Sequence, residues 1–401
     1  MNQNILAIAD SITLAFNDEA IRLAKEGQTI YNLTAGQLPF RPDTEFLKCL
    51  VESSQELKSY QYSPGAGFLD LRQKITQRIA KLRGVSIPFE KREFDCVLSN
   101  GAKQSIYNAI GAIVNPSEEV IILAPYWTSY PEIVKLWGGI PRIINCSKQD
   151  LFIPSLELIE KNINTKTKCI MLNSPNNPSG VYYSKEWMAG FANLLEKHPN
   201  IFVLSDEIYY DLCYTSGVPS YFYQENPKLL ERTIIIDGIS KTLASTGLRL
   251  GYAIAEKSVA EMMTRIQVQT TSGPNSLVQV ALLKYDFSRV ENFLKPALER
   301  LRENVKILRE SFIKHELSSA WYEPTSAFYF MLDLSQTPFH KKLTDQDMSL
   351  DVSLRLLKES GVAVVPGIGF GLPNTLRLSL IVDKEIFVPA VQKIMQFLSE
   401  P

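Results

Sequence analysis

Histidine is scarce in this sequence: three residues, at positions 198, 315 and 340, stand far apart and form no HExxH pattern. That spacing argues against a dedicated zinc site and gives little support to a hydrolase built on a histidine triad. Paired cysteines are missing too. Cys49, Cys96, Cys146, Cys169 and Cys213 contain no CxxC, so they read as small buried residues or free thiols rather than a disulfide framework. Excess charge of either sign is absent, with 42 Lys and Arg against 43 Asp and Glu. A net charge of -1 gives no reason to expect nucleic acid or an anionic membrane as partner, although a local cationic pocket for a small anion stays open. No apolar run is long enough to span a bilayer. The opening MNQNILAIADS lacks a basic start and meets Asp10 where a secretory leader is still apolar. The expected location is the cytoplasm.

What is present is ordinary for a globular protein: 45% hydrophobic and 21% charged residues, in a chain of 401 that suits one large domain or two moderate ones. Short β-rich runs occur at Val120–Leu123, Cys169–Leu172, Ile201–Leu204 and Thr233–Ile236, and another precedes Asn100. Helical patterns, including Lys103–Ile113 and Glu186–Lys197, lie between them. Such alternation predicts an α/β fold with a mostly parallel sheet covered on both faces by helices. In that architecture ligands are handled beyond the C-terminal ends of strands, where Asn100, Asn173 and Asp206 fall.

After about residue 290 the rhythm changes. A long amphipathic helix is predicted over Glu291–Lys314, a strand over Ala327–Leu332 and a helix over Leu350–Glu359. Strands over Val362–Val365 and Thr375–Leu380 and a helix over Phe387–Leu398 complete a smaller α+β domain. The expected division is a large domain over 46–290 and a small one over 291–401, with residues 1–45 contributing to the small domain and the active site.

Four segments carry chemistry: NGAKQS at 100–105, NSPNNPSG at 173–180, SDEIYY at 205–210 and GISKTLASTGLRLG at 238–251. Taken singly, each has an ordinary reading as a tight turn, a surface turn, a strand end or a solvent-facing lysine. Their joint order is informative. It resembles the fold-type I, class I aminotransferases that depend on pyridoxal 5'-phosphate (PLP), in particular the aspartate aminotransferase-like branch. The resemblance runs from YNLTAGQLPF at 31–40 to RLS at 377–379. Two details depart from the usual pattern: Ser245 stands where an apolar residue is normal, and GQLP replaces a GEPDF-like stretch.

The resemblance implies a role for each matched residue. Lys241 would hold the cofactor as a Schiff base and then move a proton. Asp206 would pair with the pyridine nitrogen, and Tyr209 and Asn177 would bond the phenolic oxygen. Gly101 and Ala102, opening a helix, would receive the phosphate together with Arg249. Gly238 stands where some members supply a further phosphate-binding serine. Trp127 would stack on the cofactor ring and border the substrate. Arg377 would clamp the substrate α-carboxylate, near Gly36 and Asn177. Tyr62 would reach the phosphate of a neighbouring copy, so a homodimer with composite sites is implied. Lys103 would engage a distal carboxylate; alternatively, it only covers its helix surface. The bland readings also remain: a helix cap for Asp206, core packing for Trp127 and Tyr209, a turn for Asn177, and a structural ion pair for Arg377. No metal is implied.

The leading expectation is reversible transamination between L-aspartate and 2-oxoglutarate, giving oxaloacetate and L-glutamate. The alternatives are an aromatic or broad-specificity aminotransferase, a PLP-dependent lyase, or a ligand-sensing dimer without turnover.

Overall fold

Val120 and Ile122 point to one side of a sheet and Ile121 and Leu123 to the other, and each pair joins a separate hydrophobic core. Cys169 and Met171, against Ile170 and Leu172, divide in the same way. A strand alternates its side chains, so a run apolar at every position is buried on both faces and needs a covering layer on each. The computed structural model, which describes residues 3–6, 8–91, 93–146, 150–342 and 346–399, meets that need with helices on both faces.

The strands among the described residues are, in chain order, β1 (Tyr31–Asn32), β2 (Phe94–Ser99), β3 (Glu119–Ala124), β4 (Ile140–Asn145), β5 (Thr167–Asn173), β6 (Phe202–Asp206), β7 (Thr233–Gly238), β8 (Gly251–Glu256), β9 (Tyr329–Asp333), β10 (Val362–Ala363), β11 (Val365–Pro366) and β12 (Thr375–Ser379). Seven of them form the large sheet in the order β2-β8-β7-β6-β5-β3-β4. All neighbouring pairs are parallel except those of β8, which runs antiparallel to both β2 and β7. The short return from Gly238 to Gly251, which pair with each other, leaves no room for a covering crossover helix and reverses the chain direction. The fold is α/β, with this large sheet domain and a smaller α+β domain.

The smaller domain carries the antiparallel sheet β11-β12-β9 and the helices Val290–Lys314, Ser349–Ser360 and Lys384–Ser399. The run expected as one strand over 362–365 is two: β10 pairs with β1, and β11 pairs with β12. Its partner changes at Val364, so one continuous ladder cannot form. The strand expected from Ala327 begins at Tyr329, because Ala327 has a left-handed backbone, φ 53°, that interrupts extended geometry. The N-terminal segment lies against this domain. β1 runs parallel to β10, and Leu33 bonds through its N–H to Ala363 and through its carbonyl to Ser379.

Among the described residues, no helix is long and apolar enough to cross a membrane.

Candidate active site

β5 and β6 end in register, with Asn173 opposite Asp206, and both residues are buried beneath a cavity of about 500 Å³. Asn173 Nδ2 donates to the Asp206 carbonyl at 3.0 Å, and its Oδ1 accepts from the Asn177 N–H at 2.9 Å. The two strand-end loops are thereby locked together. The Asp206 carboxylate receives the Tyr130 hydroxyl at 2.5 Å and the Ile208 N–H at 3.3 Å. Burial raises its pKa to about 6, against the lowering effect of those hydrogen bonds and of Lys241.

A second wall is the start of the helix Ala102–Ile113. Gly101 precedes it with φ 90°, and a Cβ there would meet Arg249 Nη2 at 2.4 Å. The backbone at φ 90° favours glycine, and any larger side chain would also have to push the Arg249 guanidinium aside. Arg249 itself has a left-handed backbone, φ 52°, a strained state for a side chain of this size. Its guanidinium is fixed by the carbonyls of Thr246 (2.8 Å) and Asn100 (3.2 Å). Gly238 lies where the sheet backbones close up, and a Cβ there would sit 2.8 Å from Gly251 Cα. A serine does not fit this geometry. Ser245 is buried, and its hydroxyl donates to the Leu243 carbonyl at 2.7 Å, so its departure from an apolar residue leaves no unpaired hydroxyl.

Lys241 sits on the short helix Ile239–Thr242 that follows β7. Its buried amine donates to the Gly36 carbonyl. Burial lowers its pKa to about 7, and the positive charges of Arg377 and Arg249 act in the same direction while Asp206 opposes them. An amine in this setting is about half neutral at pH 7, so a substantial fraction is available as a base or nucleophile.

The third wall comes from the small domain. Arg377 is buried in β12, where Nη2 donates to the Thr34 carbonyl at 2.8 Å and Nη1 to Asn177 Oδ1 at 3.2 Å. Its Nε–H has no partner among the described residues. The guanidinium carbon lies 4.4 Å from the Tyr329 ring centroid and 4.9 Å from that of Phe370. On the wall formed by the helix Ala102–Ile113, the Lys103 amine lies 4.9 Å from the Trp127 ring centroid, its pKa lowered by burial and then by Arg249. Trp127 in turn meets Tyr130 edge to face.

The cavity is thus lined by Gly36, Ala102, Lys103, Trp127, Asn177, Asp206, Tyr209, Lys241, Arg249 and Arg377, all singled out from the sequence. Gly101 lies behind this lining as the seat of Arg249. Tyr62 is outside the cavity and 93% exposed. Sequence reasoning missed Ser11, Thr13, Asn17, Thr34, Tyr130 and Tyr329, which also line it. Ser11 to Asn17 belong to the start of the helix Ile12–Lys25, whose buried Phe16, Ala20 and Leu23 give it a helical apolar period. That period was a usable signal. Tyr130 and Tyr329 carried no motif.

The same overall fold is found in known proteins. The model of the family "Aminotransferase class I and II" matches residues 28–394. The asparagine–oxo-acid transaminase of Streptococcus mutans is 30% identical, with 100% of this chain and 99% of that protein covered. The solved aspartate aminotransferase of Thermus thermophilus with maleate superposes with a TM-score of 0.90 at 31% identity, covering 99% of each chain. That of Thermotoga maritima gives 0.86 at 32% identity, covering 100% of each. The chain belongs to the class I and II aminotransferases. Within that family it is a fold-type I, PLP-dependent aminotransferase of the aspartate aminotransferase-like branch.

Proposed function

We propose that this aminotransferase exchanges amino groups between L-aspartate and 2-oxoglutarate, reversibly giving oxaloacetate and L-glutamate. One observation carries the reading: two cations, Arg377 and Lys103, line the same cavity as the Lys241 amine. Both substrates are dicarboxylates. A buried, planar guanidinium on the cavity wall suits the α-carboxylate that must be held in one orientation. A lysine on a flexible stem suits the distal carboxylate, whose distance differs between the two acids.

The residues fit PLP. The space that a Cβ at Gly101 would fill is taken by Arg249, which with the first amides of the helix Ala102–Ile113 forms a cup for a phosphate. Asp206 would hold the pyridine nitrogen, Tyr209 and Asn177 the phenolic oxygen, Trp127 the ring face, and Lys241 the aldehyde carbon. When bound, PLP supplies an electron sink for charge developing at the substrate Cα. Arg377, Asn177 and Gly36 fix the carboxylate end and so set which bond at Cα is activated. Lys241 Nζ then takes the Cα proton, for which its lowered basicity near neutral pH is suited. Trp127 and Tyr209 shield that transfer from water.

We further infer a homodimer with composite sites. Val51, Leu57, Tyr60, Tyr62 and Leu69 are all exposed within one stretch of chain, which suits burial against a second copy. Division of the chain at about residues 45 and 290 suits a small domain that closes over the substrate. Five cysteines without a disulfide suit the cytoplasm.

The aromatic or broader reading has its own support, since a relative in Thermus thermophilus, 31% identical over 99% of this chain, is an aspartate/prephenate aminotransferase. A donor and acceptor panel tests the choice. Aspartate and glutamate should exceed phenylalanine, tyrosine and alanine in kcat/KM by at least about tenfold, the worth of one charged contact. Equal values across donors would overturn the acidic preference. Comparable values for prephenate and 2-oxoglutarate as acceptors would favour the broader reading.

A further inference from the structure

Tyr329 opens β9 directly opposite Ser379 of β12. In an antiparallel pair its diagonal neighbour on the same face is the residue two before Ser379, which is Arg377. That register places the Tyr329 ring against the guanidinium, in a contact buried from water on both sides. The other end of the side chain lies elsewhere in the site. Its hydroxyl is 3.2 Å from the Tyr209 hydroxyl, 120 residues away in sequence. Two phenols in contact divide the roles: one donates and the other accepts. When Tyr209 donates into the cavity, Tyr329 is left as donor to the Tyr209 oxygen. The charged groups facing Tyr209 are Lys241, whose amine lies 5.8 Å from its ring centroid, together with Asp206 and Arg377.

We propose that Tyr329 is a positioning residue joining the two arms of the site: its ring carries Arg377 for the substrate carboxylate, and its hydroxyl orients Tyr209 toward the cofactor's phenolic oxygen. This rests on the functional reading above. A hydroxyl that receives a hydrogen bond is a better donor, so Tyr329 strengthens the bond from Tyr209 and favours the deprotonated form of the cofactor bound at Lys241. The two ends of one side chain therefore act on different observables.

The test uses holoenzyme variants Tyr329→Phe, Tyr329→Leu, Tyr209→Phe and the double Tyr209→Phe/Tyr329→Phe. The first readout, without substrate, is the pH midpoint of the visible absorbance of the lysine-bound cofactor. Tyr329→Phe should raise it, by less than Tyr209→Phe does, since the bond from Tyr209 is weakened and not lost. The double variant should match Tyr209→Phe alone, because the hydroxyl acts only through Tyr209. The second readout is the affinity for maleate, a dicarboxylate with no amino group. Tyr329→Leu should weaken it by about 5- to 30-fold through loss of the ring under Arg377, and Tyr329→Phe far less. An unmoved midpoint in Tyr329→Phe, additive shifts in the double variant, or equal losses of maleate affinity in the Phe and Leu variants would each overturn the coupling. A wild-type protein with no such absorbance would overturn the functional reading, and the coupling with it.

Discussion

The Tyr130 hydroxyl donates to Asp206 Oδ2 at 2.5 Å, joining a helix start to the end of β6 at the base of the cavity. Tyr130 is buried, and Asp206 pushes its pKa further up, so the phenol stays protonated and remains a donor. The carboxylate is therefore oriented by the protein before any ligand meets it. Replacing Asp206 by Asn keeps the shape and removes the charge. Single-turnover rates of the amino-donor half-reaction should fall by about 100-fold or more, the scale seen when a preorganised charge partner is lost. Near-wild-type rates in a folded variant would contradict the role given to Asp206.

Lys241 is depressed to about 7 chiefly by burial. The sign follows: the charged form is disfavoured, so the amine is mostly neutral above pH 7, whereas an ordinary lysine is not until above about 10. The rate at which cofactor-free protein captures PLP should rise through pH 7 and then level off. A rate still climbing toward pH 10 would show an unperturbed amine. Borohydride reduction followed by peptide mapping should tag Lys241, and Lys241→Ala should lose both the tag and turnover.

Lys103 lies over Trp127 on the cavity wall. Lys103→Ala should lower kcat/KM for aspartate about 10- to 100-fold while affecting alanine much less, a selective loss of roughly 1.4 to 2.7 kcal/mol. Matching losses for both donors would point to damage in the shared cofactor cup instead.

Behind Asp206, the fully buried Arg83 donates to Glu207 at 2.6 Å, with its guanidinium 3.4 Å from the Tyr210 ring centroid. Ser205 and Tyr223 also donate to Glu207, each at 2.8 Å. Arg83→Met strands the Glu207 carboxylate in the core, removes the 3.7 Å pairing with buried Asp237, and should cost about 3–5 kcal/mol, read as a lower urea midpoint at constant slope. Replacing Glu207 by Leu in the same chain should recover part of that loss; further destabilisation would mean that packing, the orphaned Ser205 and Tyr223 hydroxyls and the remaining Asp237 outweigh the stranded Glu207 charge.

Tyr62 is exposed and absent from its own chain's cavity. Mixing a Lys241→Ala chain with a Tyr62→Phe chain under conditions of subunit exchange should restore activity above either parent, provided Tyr62→Phe is itself strongly impaired. Failure of the exchanged heterodimer to recover activity would remove the composite site.

By itself, the sequence determined the layered α/β architecture and named most of the residues that gather around one cavity. Runs such as Val120–Leu123 are apolar at every position, and a strand buried on both faces explains that where such short runs alternate with helical patterns along the chain. Lys241, Asp206 and Asn177 were legible because each sits in a contiguous motif at a strand end, where local composition already marks an opening. The split of 362–365 into two strands was not legible, since periodicity records that a segment is extended and not which partner it has. The same holds for Tyr130 on Asp206, and for Tyr329 between Arg377 and Tyr209. These contacts join residues 76, 48 and 120 positions apart, the middle separation being simply 377 less 329. They depend on strand order and register, set by the packing of the whole chain, so only the tertiary structure decided them.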